Sequence, residues 1–368
     1  MNVVFAGGGT GGHLYPAIAI AEELRDSGAS IDFVGTAERL EATIVPKAGY
    51  RLHAVKSAPL NRRPSLALFW TVAANLRGIC QSFGILGRLK PDIIIATGGY
   101  VCFPVVVAAR LLRIVRRIDA PIVLLEPNAQ PGLTNRLLAP LVDEVWGAFG
   151  RADARFAGKY VYTGIPVRSA LRALPTREEA LARFGLSTVR QTLLAMGGSQ
   201  GARSINDALT ALIKSNGVPP GWQLIHITGE REYDRVRRSL GSDEPVLRPY
   251  VDDLSDAYAA ADLVLARAGA STLGELVATG KPAILVPYPH ASDDHQARNA
   301  AAIAESGAAV VIDDRELAAG KLRGILAEAT SGPTLRALRA AAQTLRATDP
   351  VATILARIAA LTARKTRR

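Results

Sequence analysis

Two glycine-rich turns, about half a chain apart, are the residues best suited to hold a negatively charged ligand. The first is Gly7-Gly8-Gly9-Thr10-Gly11-Gly12 and the second is Gly197-Gly198-Ser199-Gln200-Gly201-Ala202. Each follows a short apolar run and precedes a helix-like stretch. At such a turn the backbone N–H groups point outward, no Cβ blocks approach, and the helix dipole favours negative charge. Two such turns predict two nucleotide-fold lobes that face a cleft, each contacting a phosphate-bearing ligand.

A histidine, His13, directly follows the first turn, where a helix is predicted to begin. A helix N-terminus disfavours imidazolium, so this side chain can stay neutral near pH 7 and act as a general base. The alternative is that it only caps or packs against the helix. The turn also fits the dinucleotide pattern Gly-x-Gly-x-x-Gly, which needs an acidic residue at the end of the second strand. Asp32 lies inside that predicted strand, which disfavours a nicotinamide cofactor.

Two more polar turns follow predicted strands in the first half. Thr97-Gly98-Gly99-Tyr100 either contacts phosphate or sugar or is only a tight turn. Glu126-Pro127-Asn128-Ala129-Gln130-Pro131-Gly132 places a carboxylate and two amides at a strand's carboxyl end, where open α/β sheets bind ligands. Its two prolines also suit an ordinary loop.

The second half has two comparable segments. Arg267-Ala268-Gly269-Ala270-Ser271-Thr272-Leu273-Gly274-Glu275 is a glycine turn into a helix that suits a diphosphate. We expect Glu275 in the first helical turn, where it either accepts from ribose hydroxyls or complements the helix dipole. Asp293-Asp294-His295-Gln296 suits sugar hydroxyls. It is a weak candidate for a metal, because the ligands are bunched in one loop without a fourth partner.

Alternating apolar runs and amphipathic stretches predict an α/β protein with parallel sheets. The predicted strands are 2–6, 30–34, 92–96, 121–125, 144–146, 192–196, 223–228, 246–249, 263–266, 283–286 and 309–312. We place an N-terminal lobe at 1–163 and a C-terminal lobe at 164–345. The last helix, about 346–368, is expected to be able to pack back on the first lobe.

The composition, 49% hydrophobic and 21% charged over 368 residues, is that of a globular protein with two cores. Two cysteines are too few for a disulfide framework and favour a reducing compartment. The sequence starts in a predicted strand and has no run of about 18 apolar residues. We therefore expect neither a secretory signal nor a membrane span.

The net charge of +11 is concentrated in one segment, because residues 56–117 hold ten basic side chains and one acidic one. Such a cluster favours an anionic surface, either phospholipid or nucleic acid. Phe69 and Trp70 lie within this segment, between Arg63 and Arg77, and resemble an interfacial membrane surface. The alternative is that these stretches, including 110–118, form two core helices. No aromatic-rich nucleic-acid motif is present.

Taken in order, these motifs resemble the MurG family, the N-acetylglucosaminyltransferases of peptidoglycan synthesis. The resemblance covers nearly the whole chain and rests on 7–13, 97–100 with Pro104, 126–135, 164–168, 197–202, 267–275 and 294–299. It implies a GT-B fold: two Rossmann-like lobes with parallel sheets that face an inter-lobe cleft. It also implies inverting transfer of GlcNAc from UDP-GlcNAc to the MurNAc C4 hydroxyl of lipid I, giving lipid II, without a cofactor or required metal.

The resemblance also implies roles for individual residues. His13 is the candidate base. The implied donor-binding residues are Thr10, Gly11, Gly12, Asn128, Arg168, Ser199, Val251, Ala270, Ser271, Thr272, Leu273, Gly274, Glu275 and Gln296. The implied acceptor-side residues are Gly9, Tyr100, Glu126 and Asn128. Some members carry two glutamines where this chain has His295-Gln296, so the sugar contact depends more on Gln296.

Since lipid I is anchored in the cytoplasmic leaflet, the resemblance implies a peripheral enzyme on the cytoplasmic face of the plasma membrane. Its expected partners are UDP-GlcNAc, lipid I and anionic inner-leaflet phospholipid, and not nucleic acid. The alternatives are another GT-B glycosyltransferase with a lipid or small-molecule acceptor, a dehydrogenase and a non-catalytic nucleic-acid-binding protein.

Overall fold

The structure is a computed structural model that describes residues 1–59, 66–150, 153–198, 201–215, 217–241, 246–346 and 349–365. Ser199, expected at the donor diphosphate, lies outside the described residues, as do Arg62 and Arg63 of the basic segment. The chain divides into two compact units. The first is Met1–Arg168 with Asp349–Arg368, and the second is Ser169–Thr348. The segment 164–168 therefore belongs to the first unit.

The first unit is built on a seven-stranded sheet of order β3-β2-β1-β4-β5-β6-β7, with every pair parallel. Its elements are β1 (Asn2–Ala6), α1 (Gly11–Asp26), β2 (Ser30–Gly35), α2 (Leu40–Lys47), β3 (Arg51–Ala54), α3 (Leu66–Leu89), β4 (Ile93–Ala96), α4 (Cys102–Ile114), β5 (Ile122–Glu126), α5 (Leu133–Leu138), β6 (Glu144–Gly147) and β7 (Tyr160–Tyr162).

The second unit is built on a six-stranded parallel sheet of order β10-β9-β8-β11-β12-β13. Its elements are α6 (Ser169–Arg172), α7 (Arg177–Phe184), β8 (Gln191–Met196), α8 (Arg203–Ser215), β9 (Trp222–Ile227), α9 (Glu230–Leu240), β10 (Val246–Arg248), α10 (Ser255–Ala260), β11 (Leu263–Ala266), α11 (Ala270–Thr279), β12 (Ala283–Leu285), α12 (His295–Glu305), β13 (Ala309–Val311), α13 (Ala319–Ala329) and α14 (Gly332–Leu345).

The last helix, α15 (Pro350–Lys365), packs in the first unit beside α1. Ile354, Ile358 and Leu361 recur at helical spacing and join the core on the α1 face of the sheet. Arg357 forms an ion pair with Glu144 of β6, whose carboxylate also accepts from the Trp146 indole N–H at 2.9 Å. The helix is thus fixed by an apolar stripe and one charged contact.

The predicted fold class, an α/β protein with two parallel-sheet lobes, is confirmed. In both sheets the central strands are buried on both faces, as parallel sheets with helical cover require. A glycine-containing turn follows the carboxyl end of each of four strands, β1, β4, β8 and β11. Each unit therefore gathers its polar turns at one edge of its sheet, which is where ligands bind in such folds.

Candidate functional site

The first glycine turn is held by a buried carboxylate that sequence reasoning missed. Glu41, in the first turn of α2, accepts from the Gly9 N–H at 2.9 Å and from the Thr36 N–H at 3.0 Å. The Thr36 hydroxyl donates to the same carboxylate at 2.5 Å. A Cβ at Gly8 would overlap the Glu41 carboxylate, so a larger residue there would displace Glu41 from these contacts. The available signal was an acidic residue shortly after β2.

His13 is the third residue of α1, and its ring lies against the turn that follows β4. Its Nδ1 is 3.0 Å from the Thr97 carbonyl oxygen. Because a carbonyl only accepts, Nδ1 carries a hydrogen, and in the neutral tautomer with this hydrogen Nε2 is the acceptor. A Cβ at Gly98 would overlap the imidazole, and Gly98 also has a φ of 109°. The Thr97–Tyr100 turn therefore positions the predicted base.

The same turn brings Tyr100 next to the first glycine turn. The nearest atom to a Cβ built on Gly9 is Cε1 of the Tyr100 ring, 3.7 Å away. Beneath the turn, the Gly98 N–H donates to the Cys102 sulfur at 3.3 Å. Burial raises the pKa of the Cys102 thiol to about 12, so it stays protonated and has a structural role.

Glu126 organises the loop after β5 instead of facing outward. One carboxylate oxygen accepts from the Asn128 N–H and side-chain amide at 3.0 and 3.1 Å. The other accepts from the Gly132 N–H at 3.0 Å and the Asn135 amide at 2.9 Å. Burial raises its pKa, against these hydrogen bonds, which lower it. With both oxygens engaged, Glu126 orients Asn128 for any ligand at this edge.

Arg168, expected at the donor diphosphate, lies within the first unit. Its guanidinium is 5.7 Å from the centroid of the Tyr15 ring, on the first turns of α1. The residue is half-buried. Thr10, Gly11 and Gly12 lie at the N-terminus of the same helix, where Thr10 is the residue that precedes its first turn.

The described parts of the second glycine turn, Gly197–Gly198 and Gly201–Ala202, pack closely against their surroundings. A Cβ at Gly197 would overlap Ala202, and one at Gly201 would overlap the Thr228 carbonyl oxygen. Below the turn, the Asn206 side chain donates to that Thr228 carbonyl at 3.0 Å and lies 2.9 Å from His226 Nε2. Burial lowers the pKa of His226 to about 4, so its ring is neutral near pH 7.

The turn after β11 leads into α11, which begins at Ala270 after Gly269. The prediction that Glu275 lies in the first helical turn is wrong, because the helix begins earlier than expected and places it in the second turn. Its carboxylate accepts from the buried Tyr258 hydroxyl at 2.9 Å. Ser271 Oγ is buried without a hydrogen-bond partner among the described residues. Thr272, Leu273 and Gly274 complete the first turns.

Arg267 is a buried contact centre that sequence reasoning did not identify. It donates to the Val286 and Pro287 carbonyls at 3.2 and 3.3 Å and forms an ion pair with Asp314. It also donates to the Ser204 hydroxyl at 2.9 Å. The guanidinium thus joins the turns after β11 and β12 to the start of α8.

The loop before α12 presents the residues predicted to read a sugar. Asp293 and Asp294 both adopt left-handed backbone, with φ of 53° and 57°, and Gln296 lies in the first turn of α12. The Gln296 side-chain oxygen accepts from the Tyr288 N–H at 2.9 Å. Val251 is half-buried in the segment after β10. Among the described residues, no group of three His, Cys, Asp or Glu side chains is arranged to hold a metal.

Each of the two units matches a known protein family. Residues 3–146 match the model of the glycosyltransferase family 28 N-terminal domain, and residues 192–354 match that of its C-terminal domain. Two relatives carry the name UDP-N-acetylglucosamine–N-acetylmuramyl-(pentapeptide) pyrophosphoryl-undecaprenol N-acetylglucosamine transferase. That from Halothermothrix orenii is 43% identical over 341 residues, covering 89% of this chain and 90% of the relative. That from Desulforudis audaxviator is 40% identical and covers 98% of this chain and 99% of the relative.

Solved structures agree with this result. Acinetobacter baumannii MurG superposes with a TM-score of 0.76 at 25% identity, covering 98% of this chain and 99% of that one. The calicheamicin glycosyltransferase CalG4 has a TM-score of 0.70 at 18% identity, covers 99% of this chain and 98% of its own, and shares the fold. The protein therefore has the GT-B fold, and it belongs to glycosyltransferase family 28 and, within it, to the family of MurG N-acetylglucosaminyltransferases.

Proposed function

We propose that the protein transfers GlcNAc from UDP-GlcNAc to the MurNAc C4 hydroxyl of lipid I, giving lipid II for peptidoglycan. The observation that carries this proposal is the likeness, at 40–43% identity over most of both chains, to relatives named for this reaction. The glycine turns at the carboxyl edge of each sheet support it, since both substrates carry a diphosphate.

The donor is proposed to bind the second unit. The helix dipole at the start of α11 and the second glycine turn, with Ser199, would stabilise the charge that grows on the UDP leaving group. Arg168 would add a cation to the same diphosphate. Glu275, oriented by Tyr258, would accept from the ribose hydroxyls, and Val251 would offer its backbone to the uracil. Gln296 would read the GlcNAc hydroxyls.

His13 is the proposed general base. Its Nδ1–H is directed to the Thr97 carbonyl, so Nε2 is the atom that would remove the proton from the attacking hydroxyl. We expect His13→Ala to lower kcat by about 100-fold, within the range of general-base contributions, while UDP binding is unchanged. His53→Ala, which removes another histidine of the same unit, is the control. A loss of less than about tenfold would assign the proton transfer to another group.

The direct test is one transfer assay. Radiolabelled UDP-GlcNAc is incubated with a lipid I analogue, and unlabelled UDP-glucose and UDP-GalNAc are added as competitors. We expect label to enter the lipid product and both competitors to be weak. A protein that binds uridine nucleotides but labels no muramyl acceptor would contradict the proposal.

Membrane contact is proposed for the N-terminal half of α3. Among the described residues, no helix is long and apolar enough to cross a bilayer. Phe69 and Trp70 are 67% and 70% exposed, in edge-to-face contact with each other. Gly78 of α3 faces Pro104 at the start of α4, so this half of α3 extends beyond α4 at the edge that holds the glycine turns. Such an aromatic pair suits a lipid interface.

The other basic stretch, around the end of α4, lies away from this surface. Gly87 of α3 approaches Leu112, which places Ile114 about 30 Å from Trp70 along the helices. Arg113 is paired with Asp143 at 2.6 Å. We therefore expect Phe69→Ser/Trp70→Ser to weaken binding to anionic vesicles, and Arg116→Glu/Arg117→Glu to weaken it less. The reverse order in vesicle sedimentation would move the contact to the end of α4.

A further inference from the structure

A cavity of about 280 Å³ lies beside the proposed acceptor side, within the first unit. Its walls are the segment after β2, the segment after β3, one side chain of α3 and Tyr100. The lining residues that bear on its chemistry are Thr36, Glu38, Arg39, Lys56, Ser57 and Tyr100. The volume is just below the usual range for small-molecule sites, about 300–1,000 Å³, so it suits one end of a flexible ligand.

The cavity is connected to the first glycine turn through two of its walls. Thr36 donates to Glu41, which also accepts from the Gly9 N–H. Tyr100 lies over Gly9 and, through its carbonyl oxygen, is 3.2 Å from the Ser57 hydroxyl. A ligand whose diphosphate occupied that turn would therefore reach this cavity with an adjoining group.

The side chains that line the cavity carry one more positive charge than negative charge. Lys56 is paired with Glu38 at 3.2 Å. Arg39, directly before α2, forms no hydrogen bond or ion pair through its side chain with any described residue. An unpaired guanidinium presents a planar set of donors that matches a carboxylate in two parallel hydrogen bonds. Apart from Gln81 of α3, the remaining wall residues are small and apolar: Ala37, Ala54, Val55, Ala58 and Pro59.

We infer that this cavity is the subsite for the peptide of the acceptor, in which Arg39 holds a peptide carboxylate. This inference rests on the proposed function, because the relatives are named for an acceptor that carries a pentapeptide. A pentapeptide ends in a carboxylate, and its attachment to MurNAc places it near the acceptor diphosphate. Arg39 is then a specificity-determining residue that acts on the acceptor and not on the donor.

The experiment compares two soluble acceptor analogues, one with the pentapeptide as a free acid and one with its C-terminal amide. The variants are Arg39→Ala, Arg39→Lys and, as a matched control, Arg51→Ala, an exposed arginine of the same unit outside the cavity. We expect Arg39→Ala to raise the acceptor KM for the free acid about tenfold, with kcat and the UDP-GlcNAc KM unchanged. The lysine variant should restore part of that affinity.

The amide acceptor distinguishes the loss of a carboxylate contact from a general loss of acceptor binding. Its KM with the unaltered protein should already be raised, and Arg39→Ala should add nothing further. An equal loss for both acceptors, or an Arg39→Ala variant that behaves like Arg51→Ala, would overturn the inference.

Binding of the muramyl pentapeptide alone, followed by NMR titration, keeps the two proposals distinguishable. Preference for the free acid without any GlcNAc transfer would contradict the proposed function and retain the subsite. Transfer without that preference would retain the function and overturn the subsite.

Discussion

The two units share a fold but fix their ligand edges with opposite charges. In the first, buried carboxylates do so: Glu41 accepts from the glycine turn, and Glu126 accepts from the loop after β5. In the second, the buried guanidinium of Arg267 donates to the carbonyls after β12 and pairs with Asp314. The strand turns are alike, yet the first unit fixes its turn with the Glu41 carboxylate, whereas the second unit fixes the turns after β11 and β12 with the Arg267 guanidinium.

This difference bears on which ligand each edge suits. In the first unit the Gly9 N–H is already engaged by Glu41, so a diphosphate at the first glycine turn would bind through the other N–H groups at the start of α1. The same edge of the sheet holds His13, whose Nδ1 is fixed by the Thr97 carbonyl. In the second unit, Asp314 balances the charge of Arg267, which leaves the N-terminus of α11 as the feature suited to a leaving nucleoside diphosphate. The asymmetry matches the proposed division into an acceptor lobe and a donor lobe.

The largest expected effect comes from removing the cation of the second unit. Arg267→Met leaves Asp314, whose side chain is 15% exposed, without its ion-pair partner. We expect this to reduce the free energy of unfolding of the second unit by about 3–5 kcal/mol. Hydrogen exchange read by peptide reports each unit separately, and only the second should lose protection.

Two comparisons test the Arg267 argument. Arg267→Met/Asp314→Leu removes both charges and should recover part of the lost stability. Arg203→Met, which removes an exposed arginine paired with Asp207 at 3.8 Å, should cost less than about 1 kcal/mol. Equal protection in Arg267→Met and Arg203→Met would mean that the second unit does not depend on its buried cation.

Acid should weaken the second unit through His226. Burial lowers the pKa of His226 to about 4, whereas in the unfolded chain it titrates near 6.5. As pH falls from about 6.5 to 4, the unfolded chain takes up a proton that the folded unit refuses. We therefore expect the free energy of unfolding to fall by up to about 3 kcal/mol over that interval. Urea unfolding at pH 7 and pH 4.5, for the unaltered protein and His226→Gln, measures the difference.

The first unit should respond to acid in the opposite sense through Glu126. Since burial raises its pKa, the folded unit holds a proton to higher pH than the unfolded chain does. This contribution is therefore lost as pH rises above the unfolded value. As pH falls, the free energy of unfolding of Glu126→Gln should therefore decrease relative to that of the unaltered protein. If the stabilities of His226→Gln and Glu126→Gln, each relative to the unaltered protein, changed in the same direction as pH falls, the electrostatic contrast between the units would be wrong.

A smaller effect is expected from the carboxylate under the first glycine turn. Glu41→Gln replaces one acceptor oxygen with an NH2 group, which only donates, so either the contacts from Thr36 or the contact from Gly9 are lost. We expect about 2 kcal/mol of lost stability in the first unit and a lower kcat, with UDP affinity unchanged. Calorimetric titration measures the UDP affinity, and the transfer assay measures kcat. Asp26→Asn, at an exposed position on α1, is the control, and an equal kcat in both variants would contradict a role for Glu41.

The interior strands of both sheets were predictable from the sequence because they are buried on both faces. Strands 2–6 and 263–266 were predicted with the bounds that β1 and β11 have. The edge strands β3 and β7 were missed, since Arg51 and His53 interrupt the apolar pattern of β3 and β7 is only three residues long. Periodicity thus identified the layers but not their margins.

The turns of the candidate site were predictable because glycine marks them, and the long-range contacts that fix them were not. Nothing in the local sequence connects Glu41 with Gly9, or Arg267 with Asp314, over 32 and 47 positions. Glu275 was misplaced by a turn because Gly269, and not a later residue, precedes α11. Likewise, the sequence alone does not show that Arg113 is paired with Asp143. Only the fold distinguishes this structural cation from the surface cations near it.

The smallest expected effect tests how the second unit positions Glu275, the proposed ribose contact. Burial raises the pKa of Tyr258 well above its usual value, so its hydroxyl stays protonated and donates to Glu275 at 2.9 Å. Tyr258→Phe removes that donor and leaves the ring in place, so Glu275 loses one of the contacts that orient its carboxylate. We expect UDP to bind about fivefold more weakly, with little change for Tyr233→Phe on α9. Equal UDP affinity in the two variants would mean that Glu275 is positioned by other contacts, and the donor edge would then depend on Arg267 and the helix termini alone.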